Sequence, residues 1–156
     1  MFLLILGTAL LLVVPATGAG PATRIALYAG DGQSATVVTP VPVAPAVMVT
    51  DADNVGVGGV TVTFSQQGGG SVTNLTQVTG SDGIAATGWT LGTVAMENTL
   101  SASSPGLAGS PVTFHATALP GPGTRISIAG GDGQTAAIGT AVPVSPLVIV
   151  NDAWGN

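Results

Sequence analysis

The chain has no cysteine and no lysine, and its 156 residues carry only two arginines and one histidine against seven acids. Without cysteine there is neither a disulfide framework nor a thiolate metal site. A net charge of −5 leaves no cationic surface for a phosphate backbone or an anionic bilayer, so nucleic acid is excluded as a partner. Charged residues make up 6% of the chain and aromatics 4%, yet 46% is apolar, which argues against disorder. What abounds is valine and threonine, cut by 24 glycines and 11 prolines. Frequent β-formers between frequent turn residues are the composition of an all-β domain.

A long hydrophobic run is also missing. Phe2 to Val14 is apolar but shorter than the roughly 20 residues a spanning helix takes. Its length, and the small residues from Ala16 to Gly20, fit the core and cleavage zone of a secretory signal, although no Lys or Arg precedes it. Both Ala16-Thr17-Gly18 and Thr17-Gly18-Ala19 are acceptable cleavage sites, and with no cysteine following, a lipoprotein anchor is excluded. Residues 1–20 are therefore read as a cleaved signal peptide, with no membrane span in the mature part.

The dominant feature is a repeat. Thr23-Arg24-Ile25 returns as Thr124-Arg125-Ile126, an offset of 101 (125 − 24), and the copies stay in register without a gap to Val55 and Asn156. Both contain Gly-Asp-Gly-Gln (Gly30 to Gln33, Gly131 to Gln134) and Val-Pro-Val-x-Pro (Val41 to Pro45, Val142 to Pro146). Both also end an apolar strand in Asp-Ala, at Asp51 and Asp152. A period this long denotes a whole domain rather than a solenoid unit, whose repeats run at about 20–50 residues. The organisation read from it is one complete domain over 21–119, a Pro/Gly linker over 120–123, and the truncated start of a second copy over 124–156. That second part lacks the strands that would close it and is expected to pack poorly in the isolated chain.

Period-2 alternation marks the strands of the first unit. Val60, Val62 and Phe64 share one face. Val112, Phe114, Ala116 and Ala118 point inward, and Thr113, His115 and Thr117 outward. Further strands are expected around Ile25 and Leu27, Val47 and Val49, Leu75 to Thr79, Ile84 to Leu91, and Thr99 to Ala102. About seven strands in a hundred residues, with a turn every dozen or so, predict an immunoglobulin-like β-sandwich. Pro42 and Pro45 cannot donate to a central ladder, so their segment is expected at an edge or crossing between sheets. Trp89 and Leu91, with Gly88 as a bulge, are expected to pack on Phe64 and Phe114.

Several segments, in order, resemble the bacterial immunoglobulin-like domains of the invasin and intimin group: Val47 to Phe64, Thr79 to Ala85, and Pro111 to Phe114. The Val55 to Gly59 loop departs from that group's common Asn-Pro-Val-x-Gly turn. The resemblance implies a β-sandwich used in tandem on bacterial surfaces, mainly as a spacer in adhesins. No membrane barrel or binding tip accompanies it, so the adhesive activity of the group's founders is not carried over.

No residue is assigned to catalysis, to a cofactor or to a metal. Asp51-Ala52-Asp53-Asn54 invites a calcium reading, but the far-end ligands are missing and the second copy has Trp154 in place of Asp53; Asx capping of a turn explains both. Asp31 and Asp132 lie in glycine turns, where an interdomain calcium site competes with simple turn chemistry. His115, alone on an outer face, lacks the setting of a general base. Asn74-Leu75-Thr76 matches a glycosylation sequon, and Gly68-Gly69-Gly70 lacks the Lys-Ser/Thr of a phosphate loop. The reading is a non-catalytic spacer repeat of an exported, cell-surface protein, its partners being neighbouring repeats. The alternatives are a ligand- or carbohydrate-binding module recognising a cell-surface ligand, and an accessory domain of a larger secreted enzyme. A helix within the first unit, or a pocket gathering His115 with several carboxylates, would count against the spacer.

Overall fold

The computed structural model describes residues 18–156; the apolar run on which the export signal rests lies outside them. Among the described residues there is no helix, and hence none long and apolar enough to cross a membrane. The first unit contains β1 (Arg24–Ala29), β2 (Gln33–Thr36), β3 (Ala46–Thr50), β4 (Thr61–Gln67) and β5 (Ser71–Val72). It continues with β6 (Thr76–Val78), β7 (Ile84–Ala86), β8 (Trp89–Thr90), β9 (Glu97–Ser103) and β10 (Val112–Leu119). One sheet has the order β1-β3-β7, the other β2-β10-β9-β4-β6, and β5 pairs with β8 in a small ribbon.

The alternating strands bury one face each. Ile25, Val47, Val49 and Ala85 from the first sheet meet Val62, Phe64, Leu100, Ala102, Phe114 and Ala116 from the second in a single core. Trp89 and Leu91 lie in that core, as their spacing predicts. This is an immunoglobulin-like β-sandwich. Each fully buried Val, Leu, Ile or Phe side chain contributes about 1.5–3 kcal/mol relative to exposure.

Two details differ from the sequence reading. The Gly-Asp-Gly turn does not end the first strand's role; it carries the chain across, from antiparallel pairing of β1 with β3 to parallel pairing of β2 with β10. Gln-Ser-Ala-Thr has no apolar alternation, so β2 left no periodic signal. The expected strand from Ile84 to Leu91 is broken at Thr87-Gly88, so that β7 joins β3 while β8 joins β5. Buried Thr87 makes the break, its hydroxyl donating to the Asn74 carbonyl (3.0 Å) and accepting from the Asn74 N–H (3.2 Å).

In the second unit β11 (Arg125–Gly130) and β12 (Leu147–Asn151) pair as β1 and β3 do, bulge included. Their apolar faces are open. Ile25 is 1% exposed and its counterpart Ile126 is 70%; Val49 is 0% and Val150 is 58%. The same sequence pattern thus occurs twice, once beneath a second sheet and once without one.

Candidate functional site

Two small constellations carry the chain's polar chemistry. The first is on the outer face of the five-stranded sheet. Thr117 stands opposite Glu97 in the β10–β9 register, and His115 is two residues back on the same face. Asp31, on the glycine turn before β2, closes the group. Its Oδ1 accepts the His115 backbone N–H at 2.7 Å and lies 3.5 Å from Nδ1. Glu97 Oε1 lies 3.9 Å from Nε2. The His115 backbone N–H holds the Asp31 carboxyl below the usual carboxylate range against the effect of burial, aided by the Gly32 N–H and the imidazole. An open groove of about 230 Å³ runs past Gly32, Gln33, Glu97 and His115.

The expectation of an isolated His115 is therefore corrected: the fold sets two carboxylates beside it. Strand register supplies Glu97, and a contact across 84 residues supplies Asp31. Both ring nitrogens face carboxylates rather than a nucleophile to be deprotonated, and all three side chains are substantially exposed. A general base needs a ring nitrogen within reach of the proton it removes. The arrangement suits a surface charge cluster tying β2's turn to β9 and β10. Among the described residues no three His, Asp or Glu side chains converge as metal ligands.

The second constellation recurs in both units. Asp51 is buried, with Oδ1 accepting the N–H groups of Asp53 (3.0 Å) and Val55 (2.9 Å) and Oδ2 that of Gly20 (2.7 Å). Asp152 repeats this with Trp154 (2.9 Å), Asn156 (2.9 Å) and Gly121 (2.8 Å). Each aspartate closes its own turn and also grips the glycine that leads into its unit. Hydrogen bonds from Gly20 and then Val55 depress the Asp51 pKa against the opposing effect of burial. For Asp152 burial is the largest influence and works against ionisation. The Asn156 amide and the Gly121, Asn156 and Trp154 N–H groups outweigh it, leaving the carboxyl far below its ordinary value. The turn needs a positive φ at its fourth residue, met by Asn54 (φ 61) and by Gly155 (φ 94).

The paired motifs of each copy form one device that sequence reasoning missed. Gln33 Nε2 donates to the Gly30 and Val43 carbonyls at 2.8 Å each, and its Oε1 accepts the Val43 N–H at 2.7 Å. Gln134 does the same with Gly131 and Val144. The signal was available: Gly-Asp-Gly-Gln and Val-Pro-Val-x-Pro recur together at fixed spacing. Gly30 has φ 84, and a Cβ there would stand 2.8 Å from the Ala44 carbonyl oxygen, so both requirements select glycine. Of the remaining candidates, Asn74 is exposed, and Gly68, Gly69 and Gly70 all have positive φ in the β4–β5 connection. Among the described residues Asp132 accepts only the adjacent Gly133 N–H, at 2.8 Å.

Among solved structures the chain is similar to FdeC, an Escherichia coli adhesin, with 16% identity, a TM-score of 0.56, and coverage of 88% of this chain and 44% of that one. That likeness is one of fold, an immunoglobulin-like β-sandwich. The D0-D1 domain of intimin aligns at 25% identity and TM-score 0.46 over 61% of this chain and 44% of that one. A C-terminal intimin fragment in complex with the intimin-binding domain of the translocated intimin receptor aligns at 23% and 0.49, over 74% and 36%. The immunoglobulin-like chain thus spans less than half the length of each. No family model matches it, and no curated protein does.

Proposed function

We propose that the chain is a non-catalytic immunoglobulin-like repeat of the invasin and intimin type, a spacer in an exported bacterial surface protein. The observation that carries this reading is the recurrence, at an offset of 101 residues, of the whole start of the sandwich together with the aspartate that ties it to its linker. A tandem domain with short tied linkers sets distance by geometry; Pro-Gly-Pro-Gly over 120–123 gives the joint little reach. The partners in this reading are neighbouring repeats. Residues 1–20 are the export signal in this reading, cleaved at Ala16-Thr17-Gly18 or at Thr17-Gly18-Ala19.

One observation favours a second reading, a ligand-binding module: the groove beside His115 and Glu97 is a concavity with polar groups at its rim. Expression from the native start in a bacterial host, with fractionation, amino-terminal sequencing and binding assays on host cells and glycans, separates the two. The spacer reading expects an exported product cleaved near Ala19 and no saturable binding. Saturable binding abolished by His115→Ala with Glu97→Ala would replace it with the ligand module. A cytoplasmic, uncleaved product would overturn export.

A further inference from the structure

Among the described residues, the hydrogen bonds from the second unit to the body of the first come from one side chain that breaks the repeat. The residue 101 positions before Asn156 is Val55, which has no amide to offer. Asn156 uses both amide hydrogens and the amide oxygen: Nδ2 donates to the Thr93 carbonyl (2.9 Å) and to Asp152 Oδ2 (2.8 Å), and Oδ1 accepts the Ala95 N–H (2.7 Å). Thr93 and Ala95 belong to the loop between β8 and β9 of the first unit.

That loop is set from inside. Asn98, fully buried, accepts the Gly92 N–H at 3.4 Å and donates to the Met96 carbonyl at 3.0 Å. The Ala118 N–H also donates to the Met96 carbonyl, and the Val38 N–H to that of Gly92. With both ends pinned, the loop presents one carbonyl and one N–H at a spacing that a primary amide matches. On the opposite side Asp152 fixes Asn156 by its backbone N–H and its amide, and holds linker Gly121 with the same carboxylate.

We propose that Asn156 is a latch that seats the second unit on the Gly92–Met96 loop of the first and so fixes the angle of the joint. The surface it recognises is a backbone carbonyl and N–H displayed by the preceding repeat. A valine cannot engage it. An aspartate offers no donor to Thr93 and sets a second carboxylate against Asp152. This inference rests on the tandem-repeat reading, but its test reads the contact itself and involves neither export nor ligand binding.

The test is amide hydrogen exchange and ¹⁵N relaxation on the 156-residue chain, wild type against Asn156→Val and Asn156→Asp. In the wild type the Ala95 N–H is protected and residues 24–119 and 125–151 tumble with one correlation time. Both variants lose Ala95 protection and split into two correlation times, while the amides of Val62 and Phe114 keep theirs. An unprotected Ala95 in the wild type overturns the latch. So does retained protection in both variants, or lost protection with tumbling still common to both units.

Discussion

Ile25 and Ile126 are the same residue in the same local sequence, each paired across an antiparallel ladder with a valine, Val49 or Val150. The first is 1% exposed and the second 70%. Truncating a buried isoleucine to alanine costs about 2–5 kcal/mol, from lost transfer energy and the cavity left behind. At an exposed position away from special features the change stays within about ±0.5 kcal/mol. With a urea m-value of about 1–3 kcal/mol/M, Ile25→Ala lowers the unfolding midpoint by about 0.7 M or more, and Ile126→Ala shifts it by at most about 0.5 M. The assay is urea unfolding followed by the fluorescence of buried Trp89, in a Trp154→Phe background that silences the exposed indole. If Ile126→Ala shifts the midpoint as far as Ile25→Ala, the face of β11 and β12 is covered and the contrast between the two copies fails. A shift below about 0.3 M for Ile25→Ala would refute the closed first sandwich.

The other predictions concern the same unit. Trp89→Ala should cost about 3–5 kcal/mol in urea unfolding. Trp89→Phe should cost clearly less, because the buried indole N–H has no partner among the described residues and removing it relieves a penalty of about 1–3 kcal/mol; equal losses would mean that the ring does not fill the core. Val38 holds φ 60, whereas its counterpart Gly139 holds φ 79. Val38→Gly relieves about 1–2 kcal/mol of left-handed strain against about 0.5–1 kcal/mol of added chain entropy, so it should be neutral or stabilising by calorimetry, and a loss above about 1 kcal/mol contradicts this. Asp31 and Asp51 have folded pKa values below the ordinary 3.8, so their contribution is fully present above that value and lost as pH falls through the depressed folded values. The part of the urea midpoint that these two carboxylates contribute should therefore be constant above about pH 5 and be lost below about pH 4. Asp51→Asn should be less stable at neutral pH and show a shallower acid decline; an unchanged decline in this variant together with Asp31→Asn would show that other groups control it.

The sandwich was legible because its central strands alternate strictly. Val112 to Ala118 and Val60 to Phe64 announce their inward faces, and Trp89 is the one ring large enough to bridge the layers. Strand β2 and the break at Thr87 were not legible, since Gln33 to Thr36 has no periodicity and a buried hydroxyl bonding to Asn74 leaves no trace in hydropathy. The strand expected from Leu75 to Thr79 forms as β6, but it is short and at an edge, and Leu75 and Val78 are exposed. The polar cluster around His115 depended on long-range register. Thr117 opposite Glu97 fixes one carboxylate, and the turn carrying Asp31 arrives from the other end of the unit. Asp51 was readable as a turn-capping residue from its Asx-rich surroundings. Its grip on Gly20 was not, because that bond joins residues 31 apart.

The two copies divide the unit's physics into a local and a distant part. The Gln33 staple and the Asp51 clamp have full counterparts at Gln134 and Asp152, with hydrogen bonds of matching length, although the second copy has no opposing sheet. Burial of Ile25, Val47 and Val49 has no such counterpart, and neither does the bond from the β10 backbone to Asp31; in the second copy Asp132 caps only its own turn. The staple and the clamp draw on partners within about 31 residues, so their geometry is reached without the core. The linker clamp is therefore built from the opening third of a unit, and its hydrogen bonds are complete while that unit's hydrophobic face is still open. A change confined to the later strands, such as Phe114→Ala, acts on the stability of the sandwich and leaves the Gly20–Asp51 and Gly121–Asp152 clamps chemically intact, whereas Asp152→Ala removes the tie at the linker without touching any core side chain.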